Sequence, residues 1–174
     1  SSLTGKTIGI VGLGRIGDGV ARRAEAFGMV PTWWGPRDKP DAEWPRAQSV
    51  EALAEASDIL VVAARPDESN RGLIDAAVLA ALGETGLLVN VARGSLVDED
   101  ALIAALKSGA LGMAALDVFA TEPTPAERWD GVPNVIFTPH SAGKAAETLM
   151  KLVVQTLENL RRHFASEPVL SPVP

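Results

Sequence analysis

A doubly wound, parallel α/β sheet is the fold class this sequence predicts, on two observations. Short apolar runs alternate along the chain with segments of helical periodicity, and the first run passes directly into Gly12-Leu-Gly14-Arg-Ile-Gly17. Such alternation builds right-handed crossovers between parallel strands, with helices covering both faces of the sheet. A Gly-x-Gly-x-x-Gly turn between a strand and a helix is the signature of a Rossmann-type dinucleotide site.

The first strand is Thr7 to Val11. In the turn after it, Gly12 allows the tight exit from the strand, Gly14 lets the backbone approach a pyrophosphate, and Gly17 lets the next helix pack closely. That helix, Ile16 to Phe27, carries Val20, Ala21, Ala24 and Phe27 at helical spacing. Its free N–H groups, around Arg15 and Ile16, and its positive dipole end are aimed at the phosphates. Further strands are read at Val30 to Trp34, Ile59 to Ala63, Leu87 to Val91, Ala114 to Val118 and Val135 to Thr138. Helices between them are read at Val50 to Ala56, Asp75 to Leu82 and Glu99 to Lys107. Asp98 is placed to cap the last of these and Gly109 to end it, while Ser57 and Asp58 turn the chain into the third strand.

A long C-terminal helix, Lys144 to Phe164, bears one apolar stripe of Leu149, Leu152, Val153, Leu157, Leu160 and Phe164. It packs either on this sheet or, since about 20 residues span about 30 Å, on a neighbour. The tail from Glu167 to Pro174 is proline-spaced and extended, with no evident partner. The organisation expected is one dinucleotide-binding domain over 1–143, followed by a helix and tail over 144–174 that reach back to a second, substrate domain outside the chain. The start at Ser1-Ser2, almost at the first strand, reads as a piece of a longer protein.

Composition narrows the function. The chain has 174 residues, 47% of them hydrophobic, enough for one domain with a substantial core. It contains no cysteine, which excludes disulfides, thiolate metal sites and cysteine nucleophiles. Only two histidines occur, so no metal site is expected. A net charge of -6 argues against nucleic-acid or anionic-membrane partners. No apolar run reaches the roughly 20 residues of a membrane span, so the cytoplasm is the default compartment.

Three polar groups follow strand ends in order: Arg93 in Asn90-Val-Ala-Arg-Gly94, Glu122 in Leu116-Asp-Val-Phe-Ala-Thr-Glu-Pro123, and His140 in Thr138-Pro-His-Ser-Ala-Gly143. Ligands of doubly wound sheets bind at the carboxyl ends of strands. A guanidinium grips a carboxylate with two parallel hydrogen bonds, and an imidazole beside a carboxylate passes a proton near neutral pH. Together these residue types describe a site that anchors a carboxylic acid and moves a proton at a neighbouring oxygen. Each also has an ordinary reading: a surface ion pair for Arg93, solvated loop for Glu122 and a turn residue for His140; Asp117, at the end of the fifth strand, could likewise be a cap. His163, at a helix end, is assigned to dipole complementation or surface.

These motifs, in this order, resemble the nucleotide-binding domain of the D-isomer-specific 2-hydroxyacid dehydrogenases. Further landmarks are Leu3-Thr-Gly-Lys6, Ala26-Phe-Gly-Met29, Ala115-Leu-Asp-Val-Phe119 with Glu122-Pro123, Pro139-His140 and the terminal Leu170-Ser-Pro-Val173. The resemblance covers the whole chain and implies that Arg93 binds the substrate carboxylate and carbonyl. It implies that His140 donates or accepts the proton and that Glu122 orients and tunes His140, within hydrogen-bond reach of it. It further implies that Asp117 bonds the nicotinamide carboxamide, with backbone at Ala92, Ser141, Ala142 and Gly143 nearby. The activity implied is hydride transfer between a nicotinamide and C2 of a small 2-oxo or 2-hydroxy acid, in the manner of glyoxylate, hydroxypyruvate or hydroxyphenylpyruvate reductases. A homodimer, and little turnover by this domain alone, are implied too. A corepressor-like module that senses dinucleotide without catalysis is the alternative, whereas formate dehydrogenases resemble this chain with glutamine in place of Glu122. Where the family shows a run like Pro-Leu-Thr-Pro, this chain has Arg65-Pro-Asp-Glu-Ser-Asn70.

The choice of cofactor is read from the second strand. An NAD site places Asp or Glu at its end, about 20 residues beyond the glycine turn, to bond the ribose hydroxyls. Here the strand ends in Trp33-Trp34-Gly35-Pro36-Arg37, with glycine at the acid position and Arg37 able to bond a 2′-phosphate. Trp34, Gly35 and Arg37 are therefore assigned to the adenosine end of the cofactor, the tryptophans packing rather than stacking on adenine. NADP(H) is preferred and NAD(H) remains possible. Arg37 could instead pair with Asp38 or Asp41, and Asp38 could serve the ribose if the strand ran further.

Overall fold

The computed structural model describes residues 2–172. The chain divides into two compact units, Ser1–Pro139 and His140–Pro174. The first is a six-stranded, all-parallel sheet in the order β2-β1-β3-β4-β5-β6, with β1 Thr7–Val11, β2 Val30–Trp34, β3 Ile59–Val62, β4 Leu87–Asn90, β5 Met113–Leu116 and β6 Val135–Phe137. The helices are α1 Arg15–Ala26, α2 Val50–Glu55, α3 Ala76–Leu82 and α4 Glu99–Ser108.

Alternation along the strands sorts the core into two faces. Leu60 and Val62 of β3, Leu88 of β4 and Leu116 of β5 pack with Leu53 of α2, Leu79 of α3 and Leu102 of α4. Ile8 and Ile10 of β1 and Val61 of β3 point the other way, onto Ala21 and Ala24 of α1 and the indole of Trp33. Each fully buried Leu or Ile contributes about 1.5–3 kcal/mol of hydrophobic stabilisation. Ser49, Asp75 and Asp98 cap α2, α3 and α4, accepting from Ala52, Val78 and Ala101 N–H at 3.0 Å each. Asp75 is thus the cap of α3 rather than its first residue. Gly109 ends α4 in the left-handed conformation, φ 78°.

The chain leaves β1, adds β2 on one side, then crosses back to add β3 on the other. The turn after β1 therefore sits at the topological switch point. Register places Trp34, Val11, Val62, Asn90, Leu116 and Phe137 side by side in one row, the last residues of the six strands. Every loop bearing a candidate site residue in the first unit departs from that row.

The second unit is built on α5, Ala146–Phe164. Its apolar stripe is exposed, Leu152, Leu157 and Phe164 being 60%, 61% and 83% accessible. The tail does find partners, contrary to the sequence reading. Leu170 N–H donates to Asn159 Oδ1 at 2.8 Å, and Ser171 Oγ accepts from Gln155 and Asn159 at 2.9 and 2.8 Å. The asparagine and glutamine that catch it lie four residues apart on one helical face. Val173 of the terminal landmark lies outside the described residues. No helix among the described residues is long and apolar enough to cross a membrane.

At the amino edge of the sheet, Asp58 ties the start of β3 to β1. It accepts from Lys6 Nζ at 2.7 Å, Thr7 N–H at 2.8 Å and Thr7 Oγ1 at 3.0 Å. The Lys6 ammonium and the Thr7 amide lower its pKa to about 2. A carboxylate depressed on folding stabilises fully above its ordinary pKa and loses that contribution as pH falls through the folded value. Unfolding followed by denaturant should therefore show stability declining between about pH 4 and 2, with Asp58→Asn flattening that slope. Because both partners are partly exposed, the contribution at neutral pH should be on the order of 1 kcal/mol.

Candidate active site

The glycine turn is shaped by the chain's own packing at two positions and left open at a third. Gly12 has φ 96°, and a Cβ there would lie 2.5 Å from Ala64 Cα in the loop after β3. At Gly17 a Cβ would meet the Gly12 carbonyl oxygen at 2.1 Å, so α1 starts hard against the turn. Nothing lies within 4 Å of a Cβ at Gly14. Gly14 caps α1 without a side-chain bond, and the first helical hydrogen bond at that end is Asp18 N–H to Gly14 O, 2.9 Å. The N–H groups of Arg15, Ile16 and Gly17 precede it and face out of the helix end. An open cradle of donors next to a helix N-terminus fits a pyrophosphate.

Beside it lies the end of β2, fixed by Gly12 N–H donating to Trp34 O at 2.8 Å. Trp33 is buried, with its indole N–H on Trp44 O at 3.0 Å, so it packs, as read from the sequence. The strand stops at Trp34, which leaves Asp38 off its end. Asp38 bonds the Lys39 amide at 2.9 Å and lies 4.0 Å from Arg46. Arg37 is exposed, and among the described residues its guanidinium pairs with neither Asp38 nor Asp41. Two cations here escaped sequence reading. Lys39 Nζ donates to Leu13 O of the glycine turn. Arg46 donates to Gly35 O at 2.7 Å with its guanidinium over the Trp33 ring. A sequence records their charge but not the fold-back that brings them to β2.

The carboxyl ends of β4 and β5 carry the next group. Asn90, 1% exposed, accepts from Ala92 N–H at 3.1 Å and donates to Arg93 O at 3.0 Å. One buried amide thus closes the turn that presents Arg93, whose side chain is exposed and touches Ala92 O at 2.6 Å. Asp117 is buried after β5, accepts from Thr138 Oγ1 at 2.5 Å and donates its N–H to Asn90 O at 3.0 Å. Glu122 Oε1 accepts from Phe119 N–H at 3.0 Å. A Cβ on Gly94 would come within 1.9 Å of Phe119 C, so the Arg93 turn and the Glu122 loop are in backbone contact. Arg93, Asp117 and Glu122 are brought together in the first unit. His140 opens the second, at φ 48°, followed by a turn in which Ser141 O accepts from Lys144 N–H at 2.9 Å, with Ala142 and Gly143 between them.

The divergent loop after β3 closes on itself as a 3-10 turn, Glu68–Asn70, capped by Asp67. Asn70 bonds Asp67 N–H and Arg65 O, at 2.8 and 2.9 Å. The Ser69 hydroxyl and amide hold the Asp67 carboxyl below its usual range.

Residues 1–142 match the model of the D-isomer specific 2-hydroxyacid dehydrogenase NAD binding domain. A glyoxylate/hydroxypyruvate reductase of Arabidopsis thaliana is 43% identical over 99% of this chain and 55% of its own length. The hydroxyphenylpyruvate reductase of Plectranthus scutellarioides is 42% identical with the same coverage. An NADPH-dependent glyoxylate/hydroxypyruvate reductase from Sinorhizobium meliloti, solved with NADP and malonate, superposes with TM-score 0.93 at 39% identity, over 99% of this chain and 54% of that one. The chain spans about half the length of the curated relatives it matches.

The glycines should separate on substitution. Gly17→Ala and Gly94→Ala drive a methyl into backbone and should cost about 1–3 kcal/mol in denaturant unfolding. For Gly17 that clash outweighs the up to about 1 kcal/mol of helix propensity gained. Gly14→Ala should leave stability within about 0.5 kcal/mol while weakening dinucleotide binding in titration calorimetry.

Proposed function

Because the chain belongs to the D-isomer specific 2-hydroxyacid dehydrogenase family, through its NAD binding domain, we propose that it forms the dinucleotide-binding half of an enzyme that reduces small 2-oxo acids such as glyoxylate or hydroxypyruvate, with NADPH as the preferred donor. The observation that carries the reading is the backbone contact of Gly94 with Phe119, which fixes the turn of Arg93 to the loop of Glu122 on the edge where the glycine cradle opens. The relatives' greater length supports assigning the other wall of the cleft to a second domain.

The dinucleotide, when bound, supplies the hydride delivered to C2 of the oxo acid. Gly12, Gly14, Arg15, Ile16 and Gly17 hold its pyrophosphate. Trp34, Gly35 and Arg37 hold the adenosine end. Ala92, Asp117 and 141–143 hold the nicotinamide end. Arg93 grips the substrate carboxylate and polarises the carbonyl, so that negative charge developing on the C2 oxygen is stabilised. His140 delivers a proton to that oxygen, and Glu122 orients the imidazole.

Two measurements test the parts separately. Mixing the active protein and NADPH with glyoxylate, hydroxypyruvate or hydroxyphenylpyruvate should consume nicotinamide absorbance, whereas binding without absorbance change would identify a dinucleotide sensor. His140→Ala should lower turnover by about 10²–10⁴-fold and leave cofactor affinity intact, while Arg93→Ala should raise KM and lower kcat together.

The preference for NADPH draws on Gly35 at the position of the ribose-binding acid and on the exposed guanidinium of Arg37 beside it, which makes no ion pair among the described residues. A charge-assisted hydrogen bond contributes about 1.5–3 kcal/mol, so Arg37→Ala should weaken NADPH by about 10- to 150-fold with little change for NADH. Tighter NADH binding by the unaltered chain would reverse the assignment.

A further inference from the structure

We propose that Glu99 is a positioning residue for the Glu122 carboxylate. The inference rests on the reading of Glu122 as the partner of the acid-base histidine. Glu99 is the first residue of α4 and 7% exposed, a rare setting for a carboxylate. Its two oxygens are spent on the loop that carries Glu122. Oε1 accepts from Ala120 N–H at 2.7 Å, and Oε2 accepts from Arg128 Nε at 2.6 Å. Arg128 also reaches Asp100 at 2.9 Å, on the adjacent position of α4.

These contacts grip both ends of the 120–128 segment, which lies beyond β5 and has only the 3-10 turn Ala126–Trp129 of regular structure. Within it, Glu122 bonds Phe119 N–H at 3.0 Å. Two successive amides, Phe119 and Ala120, are thus each taken by a carboxylate, Glu122 for the first and the buried Glu99 for the second. The neighbours add packing and one further hydrogen bond, from the buried Trp129 indole N–H to Thr124 Oγ1 at 3.0 Å. Gly94 admits the Phe119 backbone, and the rings of Phe119, Trp129 and Phe137 pack edge to face with centroids 4.9–6.0 Å apart. An apolar side chain at 99 would leave the Ala120 amide without its acceptor and Arg128 with Asp100 alone, at the cost of a buried polar group left unpaired. Glutamine keeps the acceptor for Ala120 but turns an N–H toward Arg128, so it removes one grip while preserving volume.

The test compares Glu99→Gln, Glu99→Asp and Arg128→Lys with the unaltered sequence. In the isolated chain, backbone amide exchange at Phe119 and Ala120 should accelerate in Glu99→Gln while Leu60 and Val61 in β3 stay protected. In the active protein, kcat for oxo-acid reduction should fall about 10- to 100-fold with the NADPH dissociation constant within twofold, and Glu99→Asp, which keeps the charge, should recover part of the loss. Unchanged exchange at Phe119 and Ala120, or a lowered melting temperature with unchanged kcat, would overturn the proposal. So would equal losses of turnover and cofactor affinity. If the unaltered protein reduces none of the oxo acids, the functional reading fails by itself, and the exchange measurement still decides whether Glu99 holds the loop.

Discussion

Everything in the first unit depends on six parallel strands ending in register. Parallel strands joined by right-handed crossovers send all their carboxyl ends to one edge. Here the edge is a single row from Trp34 to Phe137, so loops far apart in sequence leave from neighbouring points. Strands lie about 4.8 Å apart, which puts the glycine turn after β1 and Asp117 after β5 about 14 Å apart along the row. A slip of one residue in any pairing would move one loop by about 3.3 Å and turn its strand's apolar residues to the wrong face. The buried clusters on the two faces forbid such a slip. Core packing and site geometry are the same constraint seen from two sides.

Much of this was legible in the residues. The strand and helix positions follow from apolar periodicity and agree with the structure to within about two residues, as boundaries set by caps usually do. Asp98 and Gly109 act on α4 as their types predict. What sequence reading missed shares one property: a long side chain whose partner lies across a fold-back. Lys39 on Leu13, Arg46 on Gly35 and Arg128 on Glu99 span 26, 11 and 29 positions. Glu99 reads as an ordinary first-turn acid of a capped helix, favourable to the dipole, and nothing in its neighbourhood announces burial. The tail of the second unit is a milder case, since Asn159 and Gln155 look like solvated helix positions until Leu170 and Ser171 reach them.

Carboxylates with fixed partners stand at both edges of the sheet. Asp58, at the amino edge, fastens β1 to β3 through an amide, a hydroxyl and an ammonium. Glu99, toward the carboxyl edge, fastens a loop through an amide and a guanidinium. The first is partly open to solvent and is screened accordingly; the second is buried, where losing one partner strands a charge. The sheet thus tolerates exchange of charge more readily at the edge that serves only stability.

The contact of Gly94 with Phe119 has a consequence for how such domains can be recombined. The segment 90–94, the residue at 99 and the segment 117–128 lie apart in sequence, yet they are in contact. A crossover between two relatives anywhere from 95 to 116 would join a turn from one parent to a loop from the other. A donor with any side chain at 94 could not accept the recipient's Phe119 backbone, and one lacking an acid at 99 would leave the Ala120 amide without its acceptor and Arg128 with Asp100 alone. The three pieces should be exchanged as a block, so breakpoints for productive chimeras should lie before Asn90 or after Arg128.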